Sequence, residues 1–196
     1  LRLGICDDLP SIRRFDHHLC HAVMACSQSP LEDGLCVVID GEGEVGAVSV
    51  FELRQRSLHR RWRSWGPGSL GTYYAWLTNA CGFDWRLGEE WKVMGLAAFG
   101  SVRAELAESL LAMIDIEDGR PVFARPDLLE AAQAAVRRFG RRRGDDLMKA
   151  ADLAATGQFV YGRMADRLLH ACRGSDAQAL VLTGGCALNS SYNGSL

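Results

Sequence analysis

Two short apolar segments, each running directly into glycine, constrain the fold of this chain more than any other feature. Residues 35–40 read LCVVID before Gly41, and residues 177–183 read AQALVLT before Gly184. Continuous apolar runs of this length are typical of strands that are buried on both faces of a sheet. A long region with helical periodicity separates the two strands, and a hairpin follows the first. This order predicts an α/β domain with a mixed sheet and flanking helices.

The remaining segments supply the hairpin and the helices. GEGEVG (41–46) predicts a turn into a second strand, AVSVFEL (47–53), and a weaker third strand is predicted in SLHRRWRSW (57–65). We expect a short strand at 1–7 and an irregular or short-strand stretch at 117–126. Helices are predicted at 17–28, 69–82, 88–100, 101–115, 127–139 and 145–173, and Asp16 is predicted to cap the first of them. The apolar face of the last helix is formed by Leu153, Val160, Met164, Leu168 and Ala171.

Size, charge and cysteine content exclude several classes of protein. The 196 residues suffice to bury a core, and a formal net charge of −2 argues against a dedicated nucleic-acid or membrane-surface binder. No segment approaches the roughly 20 apolar residues of a membrane span, and acids stand where a signal peptide would be apolar. Seven scattered cysteines without a CxxC pair fit neither a disulfide framework nor a four-thiolate zinc site. The sequence therefore predicts a cytoplasmic protein.

The segment HHLCH is a candidate metal site. His17 and His21 are four residues apart, so on a helix their imidazoles share one face and can bind one metal ion. His18 and His21 are a geometrically acceptable alternative pair. No glutamate follows the first histidine as in the HExxH zinc proteases. A polar helix start, with one histidine as a cap or surface residue, is equally compatible with the spacing.

Asp40, at the end of its strand, is a candidate for binding a phosphate or a magnesium ion. Gly41 follows it, so a ligand can approach the carboxylate without steric hindrance. The formal match of GEGEVG to the dinucleotide fingerprint is rejected, because that fingerprint needs a helix after the glycines and AVSVF continues as a strand. A simple hairpin turn is the alternative interpretation of this segment.

The bend at Gly184 and Gly185 is a candidate nucleotide site. A strand that leads into two glycines and then a helix presents unpaired backbone N–H groups to an anion. Asn189 is then placed to hydrogen-bond a ribose or a phosphate. A plain strand-to-helix connection is the alternative.

Lys92, in GEEWKVMGLAAFG (88–100), is a candidate for binding an anionic group. Lys92 and Glu90 are two residues apart, so a simple surface ion pair on a helix is not expected. Apolar neighbours predict partial cover of the lysine side chain. An amphipathic core helix with solvated charges is the alternative.

Two arginine-rich runs, at 54–65 and 137–146, are interpreted as solvated faces or loops, and the second is predicted to be an exposed loop. Trp62 and Trp65 alternate with arginine in the first run, an arrangement that can stack on bases. An arginine-rich nucleic-acid-binding module is therefore the non-enzyme alternative, although no nucleic-acid partner is expected from the overall charge.

Five segments together resemble one enzyme family. They are, in chain order, HHLCHA, SPLEDGLCVVIDGEGE, PGSLGTYYAWLTNACGF, GEEWKVMGLAAFG and LTGGCALNSSYNG. In this order and spacing they resemble the O-carbamoyltransferases of the nodulation-protein-U and cephalosporin carbamoyltransferase family, which includes the tobramycin carbamoyltransferase. The resemblance implies a domain of the actin-like ATPase class, with a ribonuclease-H-like fold.

The resemblance also implies a reaction. In such enzymes a YrdC-like domain of the same polypeptide makes carbamoyl-adenylate from ATP and carbamoyl phosphate. The ATPase-like domain then passes the carbamoyl group to a hydroxyl of the acceptor, here a small hydroxylated natural product as in antibiotic biosynthesis. Formation of threonylcarbamoyladenosine on tRNA is the alternative reaction, but the tRNA enzymes are not expected to carry the EWKVMGLAAFG segment.

The resemblance assigns roles by position. His17 and His21 match the family's metal ligands, which usually hold iron, so Fe(II) or another divalent metal is the implied cofactor. Asp40 matches an aspartate near the metal and the phosphate, and Lys92 belongs to a Glu-aromatic-Lys signature around the active site. Asp40 and Lys92 are therefore the predicted catalytic residues. The predicted nucleotide contacts are Gly41, Gly184, Gly185 and Asn189.

The chain also departs from the family pattern. The resemblance implies that 1–196 is a partial domain, without the family's further N-terminal stretch of sheet and without the YrdC-like domain. An aspartate that completes the metal shell is expected after Asn189. Gly68 stands where many relatives have histidine. The sequence does not fix the assembly and leaves a homodimer open.

Overall fold

The computed structural model describes residues 12–173 and 179–196, so the strand expected at 1–7 lies outside the described residues. The strands are β1 (Gly34–Ile39), β2 (Val48–Arg54), β3 (Ser57–Arg63), β4 (Ile114–Glu117), β5 (Arg120–Phe123) and β6 (Leu180–Thr183). The α-helices are α1 (His17–Gln28), α2 (Leu70–Ala80), α3 (Glu90–Ala97), α4 (Ala104–Leu111), α5 (Pro126–Val136), α6 (Ala151–Arg173) and α7 (Ser190–Asn193). Short 3₁₀ helices cover Trp85–Leu87, Leu147–Ala150 and Gly185–Leu188.

A sheet with the strand order β3-β2-β1-β6 forms the centre of the fold. β1 pairs antiparallel with β2, and β2 with β3, whereas β1 pairs parallel with β6. The sheet is therefore mixed and flanked by helices, which confirms the predicted α/β class. Because β1 and β6 are parallel, the residues that follow them, Asp40 and Gly184, leave the sheet at the same edge.

β1 is buried on both faces, as its apolar sequence predicts. Leu35, Val37 and Ile39 face the larger core, which includes residues of α2, α3 and α6. Cys36 and Val38 face a smaller core beneath α1. Alternate residues of this strand therefore meet apolar groups in both directions, which explains the absence of a polar-apolar alternation.

β6 differs from its prediction in burial and in length. All of Leu180–Thr183 is only half-buried, although the sequence predicts a buried strand over 177–183. Among the described strands β6 pairs with β1 alone, so one of its edges is not covered by another described strand. The start of the predicted segment falls partly on 174–178, outside the described residues.

The start of α1 and the start of α2 are fixed by side-chain caps. Asp16 Oδ1 accepts a hydrogen bond from the backbone N–H of Leu19 at 2.8 Å, as predicted for this residue. Ser69 Oγ accepts one from the backbone N–H of Thr72 at 3.1 Å. Each cap satisfies an N–H group that has no partner within its own helix.

The helix predicted at 101–115 is too long at its C-terminal end. α4 ends at Leu111, and Ile114 already belongs to the hairpin formed by β4 and β5. Asp118 and Gly119 turn this hairpin with φ angles of 49° and 75°, as a two-residue turn requires. The turn and β5 lie in the stretch 117–126, which the sequence predicts to be irregular or a short strand, whereas β4 begins inside the predicted helix.

The long helix predicted at 145–173 is α6, which begins later than predicted. Asp146 Oδ1 accepts from the backbone N–H of Met148 at 3.0 Å and caps a 3₁₀ helix that precedes α6. The predicted apolar face is buried at Leu153, Val160, Met164 and Leu168, whereas Ala171 is exposed. Neither α6 nor another helix in the described part of the chain is long and apolar enough to cross a membrane.

Candidate metal and ligand site

Asp40 connects the parts of the candidate site. Its Oδ2 lies 2.9 Å from His17 Nε2 and 3.0 Å from His21 Nε2. Its Oδ1 accepts hydrogen bonds from the backbone N–H groups of Gly41 at 2.7 Å and Gly185 at 3.2 Å. The Asp40 carboxylate therefore contacts the two histidines through Oδ2. Through Oδ1 it contacts the backbone of its own turn, at Gly41, and the backbone of the glycine bend, at Gly185.

The Asp40 carboxyl is stabilised as an anion. Burial acts to raise its pKa, yet the pKa lies below its ordinary value because other contacts outweigh burial. The hydrogen bond with His17 lowers the pKa, and the N–H groups of Gly41 and Gly185 lower it further. The charge of His21 acts in the same direction. An ionised carboxylate beside two imidazoles is an arrangement that favours a divalent cation.

The histidine pair is positioned by the geometry of α1. His17 and His21 lie about one turn apart, with their ring centroids 4.8 Å apart. The backbone N–H of His17 donates to Glu44 Oε1 at 2.7 Å, which ties the first turn to the loop after β1. The cap residue Asp16 is bound by Arg60 Nη2 at 2.8 Å, which ties the same turn to β3.

His18 does not join this pair. It is buried, and its Nδ1 hydrogen-bonds with Ser49 Oγ at 2.7 Å. Its Nε2 has no hydrogen-bond partner among the described residues, and a Cβ added to Gly43 would lie 2.7 Å from it. Burial lowers the pKa of His18, which favours the neutral form of its ring. The structure therefore groups His17, and not His18, with His21 and Asp40.

His17, His21 and Asp40 form a donor set that fits a divalent metal ion. One ligand atom from each residue lies within 4.8 Å of the others. Two imidazoles and a carboxylate are the ligands typical of non-haem Fe(II), and the same set suits Zn²⁺. The structure brings the predicted ligands together, and their occupation by a metal stays a prediction.

The glycine bend approaches the end of β1 closely. Gly184 has a φ angle of 97°, and a Cβ at this position would overlap the carbonyl oxygen of Ile39. A Cβ on Gly185 would lie 2.8 Å from Asp40 Oδ1. Two residues without side chains therefore allow the bend to contact the carboxylate. The structure therefore places the bend directly beside Asp40.

A cleft of about 830 Å³ opens beside Asp40. Backbone and polar groups of Gly41, Gly185 and Asn189 line it together with the carboxylate. Aromatic and apolar side chains make up most of the remaining lining: Tyr74, Ala75, Trp76, Trp85, Trp91, Met94, Tyr161, Cys186 and Leu188. The charged residues among the described lining are carboxylates: Asp40, Glu42 and Glu90. Asp40 therefore stands between the histidine pair and a largely apolar, acidic cleft.

A comparison with known families decides the class of this chain. The family model described as the carbamoyltransferase N-terminus matches residues 4–196. The chain belongs to this carbamoyltransferase family. The resemblance drawn from the five sequence segments is thereby confirmed.

Two relatives show how far the similarity extends. Nodulation protein NolNO of Sinorhizobium fredii is 30% identical over 191 residues, which is 92% of this chain. The uncharacterized protein sll1178 of Synechocystis is 36% identical over 100 residues, which is 50% of this chain. The chain spans 26% of the length of the first relative and 16% of the length of the second.

In this carbamoyltransferase-family chain, Asn189 has a structural task as well as a place in the cleft. Its Oδ1 accepts from the backbone N–H of Tyr192 and from Gln158 Nε2, both at 3.0 Å. Its Nδ2 donates to Gln158 Oε1 at 3.1 Å, and that oxygen also accepts from the hydroxyl of Tyr74 at 2.8 Å. No sequence signal marks Gln158, because it lies inside α6 and far from any motif. Contact of Asn189 with a nucleotide stays a prediction.

The expectation that Lys92 forms no simple ion pair on its helix is wrong. Its ammonium pairs with Glu89, three residues earlier, a spacing that allows the pair which the two-residue spacing to Glu90 does not. Lys92 Nζ also lies 5.7 Å from the ring centroids of both Phe83 and Trp91, so aromatic groups cover part of the side chain. Glu90 lines the cleft and Lys92 does not. Its catalytic role stays a prediction.

Gly68 is explained by the hairpin of β4 and β5. A Cβ at this position would overlap the carbonyl oxygen of Pro121. The hairpin backbone therefore occupies the space that a histidine, the residue expected from the family resemblance, would need. The difference is a local packing feature of this chain.

Several of the arginines in the two basic runs have structural partners. Arg60 and Arg63 both reach Asp16, at 2.8 Å and 3.7 Å. Arg141 Nε donates to the carbonyl oxygen of Cys81 at 2.7 Å. These contacts support the interpretation of the runs as parts of the folded surface, and the stretch 137–146 is largely exposed, as predicted.

Proposed function

We propose that the protein containing this chain is a carbamoyltransferase. It transfers a carbamoyl group from carbamoyl phosphate, by way of carbamoyl-adenylate formed with ATP, to a hydroxyl group of a small natural product. Membership of the carbamoyltransferase family supports carbamoyl transfer in general. The observation that carries the proposal in this chain is the convergence of His17, His21 and Asp40 beside a cleft large enough for a small molecule.

His17, His21 and Asp40 are the residues that would hold Fe(II) or another divalent metal. When bound, the metal supplies positive charge that polarises a carbonyl or phosphoryl oxygen. The chain contributes fixed geometry, because two backbone N–H groups anchor one oxygen of Asp40 and leave the other directed at the histidines. Such outer contacts preorganise a ligand set.

The glycine-rich side of the cleft supports the assignment of the nucleotide. An added Cβ on Gly41 would meet no heavy atom within 4 Å, so the space beside this backbone is open. Gly184 and Gly185 bring a second backbone segment to the same carboxylate. Trp76 and Trp85 supply flat apolar surfaces in the same cleft, which suit a base or another planar group. Asn189 completes the predicted nucleotide contacts.

A hydroxyl acceptor must lose a proton when it takes the carbamoyl group. Glu42 and Glu90 are the carboxylates of the cleft besides Asp40, so they are the side chains in position to accept that proton. Lys92 would have to leave Glu89 to reach a ligand in the cleft. A catalytic role of Lys92 therefore requires a rotamer different from the one that pairs with Glu89.

The proposed reaction needs further parts of the polypeptide. A YrdC-like domain would form the carbamoyl-adenylate, and this chain would be part of an actin-like ATPase-class domain that uses it. A cytoplasmic location is part of the same proposal, because ATP is the activating substrate. A homodimer is compatible with it.

The test uses the intact protein with ATP, carbamoyl phosphate and Fe(II). We expect release of pyrophosphate from ATP that depends on carbamoyl phosphate, and a hydroxylated acceptor that gains one carbamoyl group by mass spectrometry. Asp40→Ala is expected to abolish transfer to the acceptor. His59→Ala, at an exposed histidine of β3, is the matched control and is expected to retain activity.

Two results would contradict this assignment. Failure of the intact protein to consume carbamoyl phosphate with ATP and Fe(II) present would exclude carbamoyl transfer. ATP consumption that requires threonine and tRNA, and does not require carbamoyl phosphate, would instead identify the alternative reaction on tRNA.

A further inference from the structure

A second cavity, of about 740 Å³, lies at the C-terminal end of α2, between α5 and the loop that follows α5. Trp76 and Asn79 line this cavity and also the cleft beside Asp40, so the two spaces share a wall. We name the second cavity the basic pocket, after four lining residues: Arg137, Arg141, Arg142 and Lys149.

The basic pocket and the cleft carry opposite charges. The basic pocket has four cationic side chains in its lining and one carboxylate, that of Asp145. The described charged residues of the cleft are carboxylates alone, among them Glu42 and Glu90. In the absence of a metal ion, an anion is therefore attracted to the basic pocket and repelled by the carboxylates of the cleft, where the proposed nucleotide would rely on the positive charge of the metal.

The single carboxylate does not neutralise the pocket. Asp145 Oδ2 accepts from Lys149 Nζ at 2.9 Å and from the backbone N–H of Arg142 at 3.1 Å. Among residues 12–173 and 179–196, no carboxylate lies within ion-pair distance of the guanidinium group of Arg137 or Arg142. Two guanidinium groups therefore line the pocket without a close ion pair to a described carboxylate, and the charge of Arg142 interacts with Asp145 only at longer range.

Arg141 holds the loop that carries these groups. Its backbone N–H donates to the carbonyl oxygen of Ala80 at 3.1 Å, and its guanidinium donates to the carbonyl oxygens of Cys81 at 2.7 Å and Asp145 at 3.0 Å. The guanidinium also lies 4.9 Å from the ring centroid of Phe83. Arg141 is therefore a positioning residue, which joins the loop after α5 to the C-terminal end of α2.

We propose that the basic pocket binds a phosphate-bearing small molecule, with the guanidinium groups of Arg137 and Arg142 as its principal contacts. A guanidinium presents paired N–H donors whose geometry matches a phosphate, and two such groups neutralise a dianion. Trp76 offers an apolar surface for the organic part of the ligand. The inference goes beyond carbamoyl transfer, because it requires neither a metal ion nor His17, His21 and Asp40.

The test is calorimetric titration of the intact protein with inorganic pyrophosphate after chelation of metals. Arg137→Ala/Arg142→Ala removes the two principal contacts, and Arg54→Ala/Arg61→Ala removes the same charge from exposed arginines of β2 and β3. We expect pyrophosphate affinity to fall at least about tenfold in the first variant and to stay within about twofold of the parent in the second. Asp40→Asn is expected to retain the affinity, which separates this pocket from the cleft.

Parallel titrations with ATP and carbamoyl phosphate identify the source of the phosphate. Both titrations are repeated on the two double variants, because the proposed function gives the intact protein other sites for ATP and carbamoyl phosphate. Tighter binding of ATP than of pyrophosphate that is lost only in Arg137→Ala/Arg142→Ala indicates a nucleotide in the pocket, and the same selective loss for carbamoyl phosphate indicates an acyl phosphate. The single variants Arg137→Ala and Arg142→Ala, each expected to weaken binding partly, replace the double variant if it does not fold.

Three outcomes would overturn the proposal. The first is no binding of pyrophosphate, ATP or carbamoyl phosphate by the parent protein, and the second is a loss of affinity in Arg137→Ala/Arg142→Ala that is no larger than the loss in Arg54→Ala/Arg61→Ala. In either case the pocket is an ordinary solvated arginine-rich surface. The third is displacement of pyrophosphate by an RNA oligonucleotide that binds more tightly through Arg137 and Arg142, which identifies a nucleic-acid surface instead.

Discussion

The cluster at Asp40 and the segment around Lys92 were both marked by sequence motifs, but the structure treats them differently. His17, His21 and Asp40 come from α1 and from the end of β1, and they meet because the fold brings these elements together. Lys92 instead pairs with Glu89, a neighbour on the same helix. Long-range convergence of polar groups requires tertiary structure to hold it, whereas a local ion pair forms wherever spacing allows.

Among the variants that test this difference, the substitution of a histidine in the Asp40 cluster is expected to have the largest effect. His21→Ala should lower metal affinity by at least about 100-fold, because ligands contribute more than the outer contacts whose loss costs about 10- to 100-fold. Metal content after dialysis, measured by elemental analysis, checks the expectation. His59→Ala, on exposed β3, is the control that should keep its metal. Equal metal content in the two variants would show that the convergence has another purpose.

The glycine bend should be the next most sensitive position. Gly184→Ala is expected to lower the free energy of unfolding by about 2–4 kcal/mol, because an added Cβ overlaps the carbonyl oxygen of Ile39. Gly144→Ala is a matched control, since Gly144 has a similar φ angle of 100° but no heavy atom within 4 Å of an added Cβ. Its expected cost is about 1 kcal/mol. Urea unfolding of both variants measures the difference, and equal costs would mean that the bend relaxes away from β1.

Gln158 tests whether the buried amide network supports the same site. Gln158→Leu should destabilise the protein by about 1–3 kcal/mol, because the Asn189 amide loses its side-chain partner while buried. Tyr74→Phe, which removes one donor to the same oxygen, should cost less, about 1 kcal/mol. Thermal unfolding of the two variants gives the ranking. A larger loss in Tyr74→Phe would contradict the network as described.

Lys92 gives the smallest expected effect. Lys92→Met should change the free energy of unfolding by less than about 1 kcal/mol, because its ion pair with Glu89 is partly exposed to solvent. Urea unfolding and the rate of carbamoyl transfer are measured on the same variant. A large loss of rate with unchanged stability would support the predicted catalytic role and would remove the contrast with the Asp40 cluster. Little change in both would assign Lys92 to the surface.

The sequence predicted those features that depend on local physics. The helical spacing of His17 and His21, the cap at Asp16 and the apolar run of β1 all follow from short segments, and the structure has each of them. The predictions failed where a neighbouring pattern competed. The helical periodicity of 101–115 continues into the start of β4, and the two-residue spacing of Glu90 and Lys92 does not indicate the pairing of Lys92 with Glu89, three residues away.

By itself, the sequence determined the α/β class, the residue types of the candidate site and, through its five segments, the family. Only the tertiary structure decided which of these residues meet. The parallel pairing of β1 with β6 places Gly185 against Asp40 across 145 positions of the chain, a contact that no local spacing encodes. The tertiary structure also places His18 in hydrogen-bond contact with Ser49, and Asn189 in hydrogen-bond contact with Gln158. Local propensities act over a few residues, whereas such contacts depend on the packing of the whole sheet and its helices.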